Sequence, residues 1–323
     1  MKTLATLLCL MIGLPQANAP AGQPQQMIAV VRNSAGELVR HLRANDFVLE
    51  EDGVPQPISQ FEEDSNVPVS LGILIDISGS MNTRSGGMSR LSAAQGTVRM
   101  LLRMMKPGDQ FILMSFETGF SVNQDFTEDP RAIESALNKL TPMGNTNLFS
   151  AVGSALQKMK KAKHRTRALV LITDGLAGGD LQSLARNIVD SETLIYTFGL
   201  GDRQTANIPQ AAGGFGAFGG GFGGFGNRGT PQVMSTPQQI LDTLAQDSGG
   251  NSEIFDVADL DTAILQMVNF DESIVADMRG QYTMSYVSQL PSGPAGHAVR
   301  LRTVANNLRV RARRNAASLT KSK

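Results

Sequence analysis

The run VSLGILID at residues 69–76 limits the fold more than any other stretch of the chain. It is apolar almost throughout and shows no in–out alternation. Such a strand belongs to a parallel sheet covered on both faces, not to a sheet with one wet side. The run stops at Asp76, and Ser78 and Ser80 follow at every second position. A buried strand that ends in one acid and two hydroxyls marks the edge of an oxygen-lined site.

The segments that follow keep switching period. MSRLSAAQGTVRMLLRMMK has helical spacing, QFILMSFE reads as a strand, and PRAIESALNKL is a helix with proline at its start. NLFSAVGSALQKMKK is a helix, RALVLITDG a strand, DLQSLARNIVDS a helix and TLIYTFGLGD a strand. TPQQILDTLAQDSGG, SEIFDVAD and LDTAILQMVNFDESIVADMRG complete the series as helix, short strand and long helix. Strands alternating with helices predict an α/β fold, a doubly wound and mostly parallel sheet.

Both ends read differently. MIAVVRN, LVRHL, DFVLEED and QPISQFEED precede this body, and QYTMSYVSQ, HAVRLRTV and NLRVRARR follow it. These are short strands between turn signals such as Asp-Gly-Val-Pro and Pro-Ser-Gly-Pro. Their number, about seven, suits an Ig-like β-sandwich. The expected organisation is an α/β domain at 67–280 inserted into a second, smaller sandwich built from 22–66 and 281–314. Residues 315–323 are expected to be a disordered tail. Charge supports the pairing of the two ends. Arg300, Arg302, Arg309, Arg311 and Arg313 alternate in one block, and Glu50, Glu51, Asp52, Glu62, Glu63 and Asp64 lie in the other. Acidic neighbours would offset the repulsion of adjacent arginine rows; the alternative is that all these charges face water.

Residues 1–21 read as a secretory signal: Lys2, an apolar run from Leu4 to Leu14, Pro15, then small residues. Cleavage after Ala21 is preferred to cleavage after Ala19, which would leave Pro20 beside the cut. The only cysteine, Cys9, lies in that run, so the expected mature chain has no thiol chemistry. No later run reaches the roughly 18 apolar residues of a membrane span, so no membrane anchor is expected. An exported protein, periplasmic or extracellular, follows. The 323 residues carry zero formal net charge, which gives no reason to expect nucleic acid as a partner.

In a doubly wound sheet, ligands bind beyond the C-terminal ends of the strands. Asp76 to Ser80 follow one strand, Thr173 and Asp174 end another, and Gly144-Asn145-Thr146-Asn147 precedes a helix. The set Asp76, Ser78, Ser80, Thr146 and Asp174 offers only oxygen donors, which suits a hard cation, Mg²⁺ or Mn²⁺. Few carboxylates relative to hydroxyls leave such an ion with unmet demand for anionic ligands, so the site should attract an outside carboxylate. The alternative for the two acids is strand-end capping without metal.

DISGS, the threonine of GNTNL and the aspartate of ITDG resemble the metal-ion-dependent adhesion site of von Willebrand factor A domains. The five positions stand in that family's order, and the resemblance covers about two-thirds of the chain. It implies that Ser78, Ser80 and Thr146 supply hydroxyl ligands and that Asp76 and Asp174 act directly or through water. It also implies a last helix that shifts on ligand engagement. SAGELVRHLRANDFVLEEDGVPQPISQFEED and QYTMSYV extend the likeness to a group of exported bacterial proteins of this type. The departure is residues 203–235, where a Gly/Phe-rich segment (GGFGAFGGGFGGFG at its centre) replaces a short connection. It cannot bury enough surface to fold alone. It is read as a low-complexity insertion, with a sticky contact loop as the alternative.

The implied function is a secreted, metal-dependent protein-binding module that recognises an Asp or Glu of a partner through the bound ion. Two other classes stay open: a metal-dependent hydrolase, and a structural envelope protein whose A domain only packs. No G-x-S-x-G elbow or P-loop lysine is present, and no general base or nucleophile pair stands beside Asp76, so an enzyme is not expected. His41, His164 and His297 share no metal spacing. Nothing in the sequence fixes the oligomeric state.

Overall fold

The computed structural model describes residues 24–65, 67–85, 87–174, 184, 187–188, 190–201, 237–291 and 297–312. The proposed signal segment and the Gly/Phe-rich insertion lie outside these residues, and so do most of the helix expected at DLQSLARNIVDS and the tail.

Four strands come first: β1 (Gln25–Arg32), β2 (Phe47–Glu51), β3 (Val54–Gln56) and β4 (Ile58–Ser65). β5 (Val69–Asp76) opens the α/β body. A small hairpin follows, β6 (Arg84–Ser85) and β7 (Met88–Ser89), and then α1 (Arg90–Met104). The body continues with β8 (Gln110–Phe116), β9 (Phe120–Thr127), α2 (Pro130–Leu137), α3 (Leu148–Met159), β10 (Thr166–Thr173) and β11 (Leu194–Leu200). It ends with α4 (Pro237–Ser248), β12 (Asn251–Phe255) and α5 (Leu260–Met278). β13 (Gly280–Tyr286), β14 (Val299–Thr303) and β15 (Arg309–Ala312) close the described chain.

The central sheet runs β12-β11-β10-β5-β8-β9. Every pairing is parallel except β8 with β9. All eight residues of β5 are buried, as an unbroken apolar run in a doubly covered sheet requires. Leu71, Ile73 and Ile75 face a core shared with α1, α2 and α5, and Leu74 faces a second core shared with α3 and α4. The antiparallel edge strand β9 is absent from the sequence reading. Phe120, Val122 and Phe126 alternate with the exposed Ser121, Asn123 and Asp125, the pattern of a half-wet edge.

The two ends of the chain pair with each other. One sheet runs β15-β1-β13-β4 and another β14-β2-β3. Met27, Ala29, Val31, Phe47, Leu49, Tyr282, Met284 and Tyr286 form one apolar cluster drawn from both sheets. Phe47, Phe61 and Tyr282 lie with ring centroids 5.3–5.6 Å apart within it. The chain leaves this region at Ser65 and returns at Gly280, and the two residues are register partners. The α/β body is therefore entered and left at adjacent strands.

Two expectations need correction. LVRHL is not a strand: Leu38 makes one isolated bridge to Arg32, and His41 has a positive φ of 63°. β1, the strand before it in sequence, is already paired on both sides by β15 and β13. The Tyr282 hydroxyl holds the segment instead, donating to Val39 O (2.9 Å) and accepting from Leu42 N (3.2 Å). The arginine rows also part company, because β14 and β15 belong to different sheets. Arg302 meets Glu50 at 3.2 Å, as the charge argument expects. Arg311 turns instead to Asp277 of α5.

Candidate metal centre

β5 is the strand where the chain reverses its winding: β8 lies on one side of it and β10 on the other. Ligands of open α/β sheets bind at the carboxyl end of such a switch point. Asp76 is the last residue of β5, and Asp174 directly follows the last residue of β10. The neighbouring register Ile172↔Ile75 brings the two strand ends together.

Asp76 is fully buried, and both its oxygens are engaged by neutral donors. Ser78 N donates to Oδ1 at 2.8 Å, and Thr173 Oγ1 donates to Oδ2 at 2.7 Å. Burial pushes the Asp76 carboxyl above its usual range, and the Ser78 and Thr173 bonds oppose that. The chain then turns through a short 3₁₀ segment, Gly79–Asn82. Ser78 stands at its N-cap position, but its side chain makes no capping bond. The Ser78 hydroxyl faces Ser80 Oγ at 3.1 Å. A capping-type bond thus accounts for one oxygen of Asp76, and the Ser78 side chain adds to the support of that carboxylate.

The loop that carries Thr146 is bonded to this turn. Gly79 N donates to Gly144 O at 3.0 Å, and Met143 N donates to Ile77 O at 2.6 Å. Its other flank rests on the turn after β8. Asn147 N donates to Glu117 O at 2.9 Å, and Asn145 N donates to Thr118 Oγ1 at 3.2 Å. Bonds from Thr118 hold the Glu117 carboxyl below its usual range. Gly144 makes this contact possible. Its φ is +68°, and a Cβ there would lie 2.4 Å from Glu117 Oε2.

Asp174 has a different kind of partner. Arg90 Nη1 donates to its Oδ2 at 2.9 Å. The Asp174 side chain is wholly shielded and that of Arg90 is 20% exposed. Sequence reasoning missed Arg90, but a signal existed. Arg90 is the first residue of α1, whose first turn holds no acid. A cation is disfavoured at a helix N-terminus unless an acid answers it.

The structure therefore gathers the turn bearing Asp76, Ser78 and Ser80, the loop bearing Thr146 and the strand end bearing Asp174. The donors fit a hard divalent cation. All are oxygens, and an octahedron with bonds of about 2.1 Å has edges of about 3.0 Å, close to the 3.1 Å between the two serine hydroxyls. Among the described residues no three His, Cys, Asp or Glu side chains converge, so a site here depends on hydroxyls.

Residues 71–177 match the family model described as von Willebrand factor type A domain. The α/β body has that type of fold, with a mixed and mostly parallel sheet. No curated protein matches the chain. Among solved structures, BatB from Bacteroides thetaiotaomicron, a conserved hypothetical protein, is 20% identical with a TM-score of 0.46. That match covers 63% of this chain and 98% of that one. A von Willebrand factor type A protein from Catenulispora acidiphila is 13% identical with a TM-score of 0.47, over 92% of this chain and 75% of that one. The vWF domain of the type V pili tip protein Mfa5 from Porphyromonas gingivalis is 28% identical with a TM-score of 0.30, over 34% and 39%.

Proposed function

We propose, from the premise of a von Willebrand factor type A domain at residues 71–177, that this protein is an exported, metal-dependent protein-binding module. Asp76, Ser78, Ser80, Thr146 and Asp174 would hold Mg²⁺ or Mn²⁺. The ion would supply a Lewis-acidic position for an Asp or Glu carboxylate of the partner. The protein's own part is to fix the elements that bear the donors before any partner arrives. The Thr173 bond fixes Asp76, the Gly79–Gly144 bond joins the two loops, and the Arg90 pair fixes Asp174.

One observation carries this reading: Ser78 and Ser80 face each other at 3.1 Å beside a buried aspartate, and neither hydroxyl serves as a helix cap. The rim supports a protein partner. Met143, next to the Thr146 loop, is 58% exposed and offers an apolar contact beside the ion. Export rests on the reading of residues 1–21, and among the described residues no helix is long and apolar enough to cross a membrane. The Ig-like character of the terminal strands belongs to the same proposal, supported by two sheets that share one core.

The test is capture of partners from the native envelope and culture fluid by the purified protein in Mg²⁺, in EDTA, and with Asp174→Ala. A protein retained only by the wild type in Mg²⁺ is the expected result. Equal capture in all three would remove the metal site from the interface.

A further inference from the structure

The two acids of the proposed donor set are compensated in opposite ways. Asp76 is met by a backbone amide and a threonine hydroxyl, and among the described residues no ion pair involves it. Asp174 is met by a guanidinium, 2.9 Å away and largely shielded from water. Arg90 Nε is itself buried and has no hydrogen-bond partner. Arg90 starts the helix that follows the Asp76 turn, and its amide donates to Thr83 O at 3.1 Å, which closes that turn. The cation is thus built into the segment that carries the donors.

We infer that Arg90 is a resident counter-cation of the site, which makes the site bind its metal more weakly and an anionic partner more strongly. The inference rests on the metal-dependent reading above. A divalent ion between Asp76 and Asp174 would be formally neutralised if both acids were free to compensate it. With Arg90 on Asp174, the ion, these two acids and the guanidinium sum to one net positive charge, and Glu117, on the other flank of the Thr146 loop, adds equally to wild type and variants. That net positive charge opposes entry of the ion and, once the ion is in place, favours an incoming carboxylate. In a shielded pocket such charges act with little screening. A lone anion would then complete the site, and a neutral ligand would gain little. Arg90 acts through Asp174 and the ion, so it is a specificity-determining residue and not a ligand.

The experiment titrates the purified full chain with Mn²⁺, by calorimetry and by the Mn²⁺ paramagnetic resonance signal, for wild type, R90Q, R90M and R90K. The Mn²⁺-loaded proteins are then titrated with acetate as the carboxylate probe. R90Q and R90M should bind Mn²⁺ about tenfold more tightly and acetate about tenfold more weakly, in line with one unit charge at short range. R90K keeps the charge and should follow the wild type on both axes. Weaker or unchanged Mn²⁺ binding in the charge-less variants, with the wild type still binding, would overturn the inference and leave the metal reading intact. Loss of fold in both charge-less variants would make the pair a structural tie and overturn it as well. Absence of Mn²⁺ binding in the wild type and in every variant would overturn the metal reading itself.

Discussion

Thr173 donates its hydroxyl to Asp76 Oδ2 at 2.7 Å, across the adjacent parallel strands β10 and β5. Both residues are fully buried. The bond spans the switch point of the sheet, so it sets how the acid at the end of β5 presents itself to the rim. Thr173→Val keeps the shape and removes the donor. A buried acceptor stripped of one partner costs about 1–3 kcal/mol. The variant should lose stability of that order in urea unfolding and bind Mn²⁺ more weakly. Unchanged metal binding would mean that the bond serves folding alone.

Gly144 separates site geometry from general stability. Its left-handed backbone strains any side chain, and a Cβ there would have to displace the Glu117 carboxylate and crowd Thr118 Oγ1. Gly108 also has a positive φ, +91°, but an added Cβ there would meet nothing within 4 Å. Each Gly→Ala change should cost about 1–2 kcal/mol for the backbone. Only Gly144→Ala should also displace the Thr146 loop and weaken Mn²⁺ binding. Equal metal affinities in the two variants would argue that the loop is not part of the site.

Asp277, near the end of α5, joins the body to the terminal sheets. Arg32 of β1 reaches its Oδ1 at 2.6 Å, and Arg311 of β15 and the Tyr196 hydroxyl of β11 reach its Oδ2. Its side chain is wholly shielded. Removing one member of a buried charge network costs about 3–5 kcal/mol, because the partners stay buried without it. Asp277→Ala should therefore lower the unfolding free energy obtained from urea titration by that amount. It should also make exchange of the amides at the end of α5 faster. A surface-like loss below about 0.5 kcal/mol would show that the network is hydrated.

The α/β body was legible because its signals are local. An unbroken apolar strand, a proline at a helix start and an acid at a strand end each occupy a few consecutive residues. The five proposed donors stand in short local motifs: four lie at or just after the ends of β5 and β10, and Thr146 lies in the loop before α3. What escaped depends on partners distant in sequence. Arg90 and Asp174 are 84 residues apart, and Asp277 and Arg32 are 245 apart. LVRHL has the composition of a strand, and only the sheet order shows that its neighbour β1 takes β15 and β13 as partners instead. Glu117 looked like the end of a strand, and its role in seating the Thr146 loop appears only once β8 lies beside β5.

Asp271 supplies a prediction about pH. It lies on the inward stripe of α5 with Ala263, Met267, Phe270, Ile274 and Met278, all buried. Neither of its oxygens has a hydrogen-bond partner. Burial raises its carboxyl from 3.8 to about 8. The folded chain therefore holds a proton at neutral pH that the unfolded chain has released. Where the folded state binds more protons, stability falls as pH rises. The fall should run from about pH 4, where the unfolded group titrates, to about pH 8, and level off above that. Its slope is at most about 1.4 kcal/mol per pH unit. Asp271→Asn cannot titrate, so its stability relative to wild type should grow across that window and be greatest at its alkaline end. Urea unfolding of both proteins at several pH values measures this directly. A constant difference between them would mean that water or a shifted side chain solvates the Asp271 carboxylate in solution.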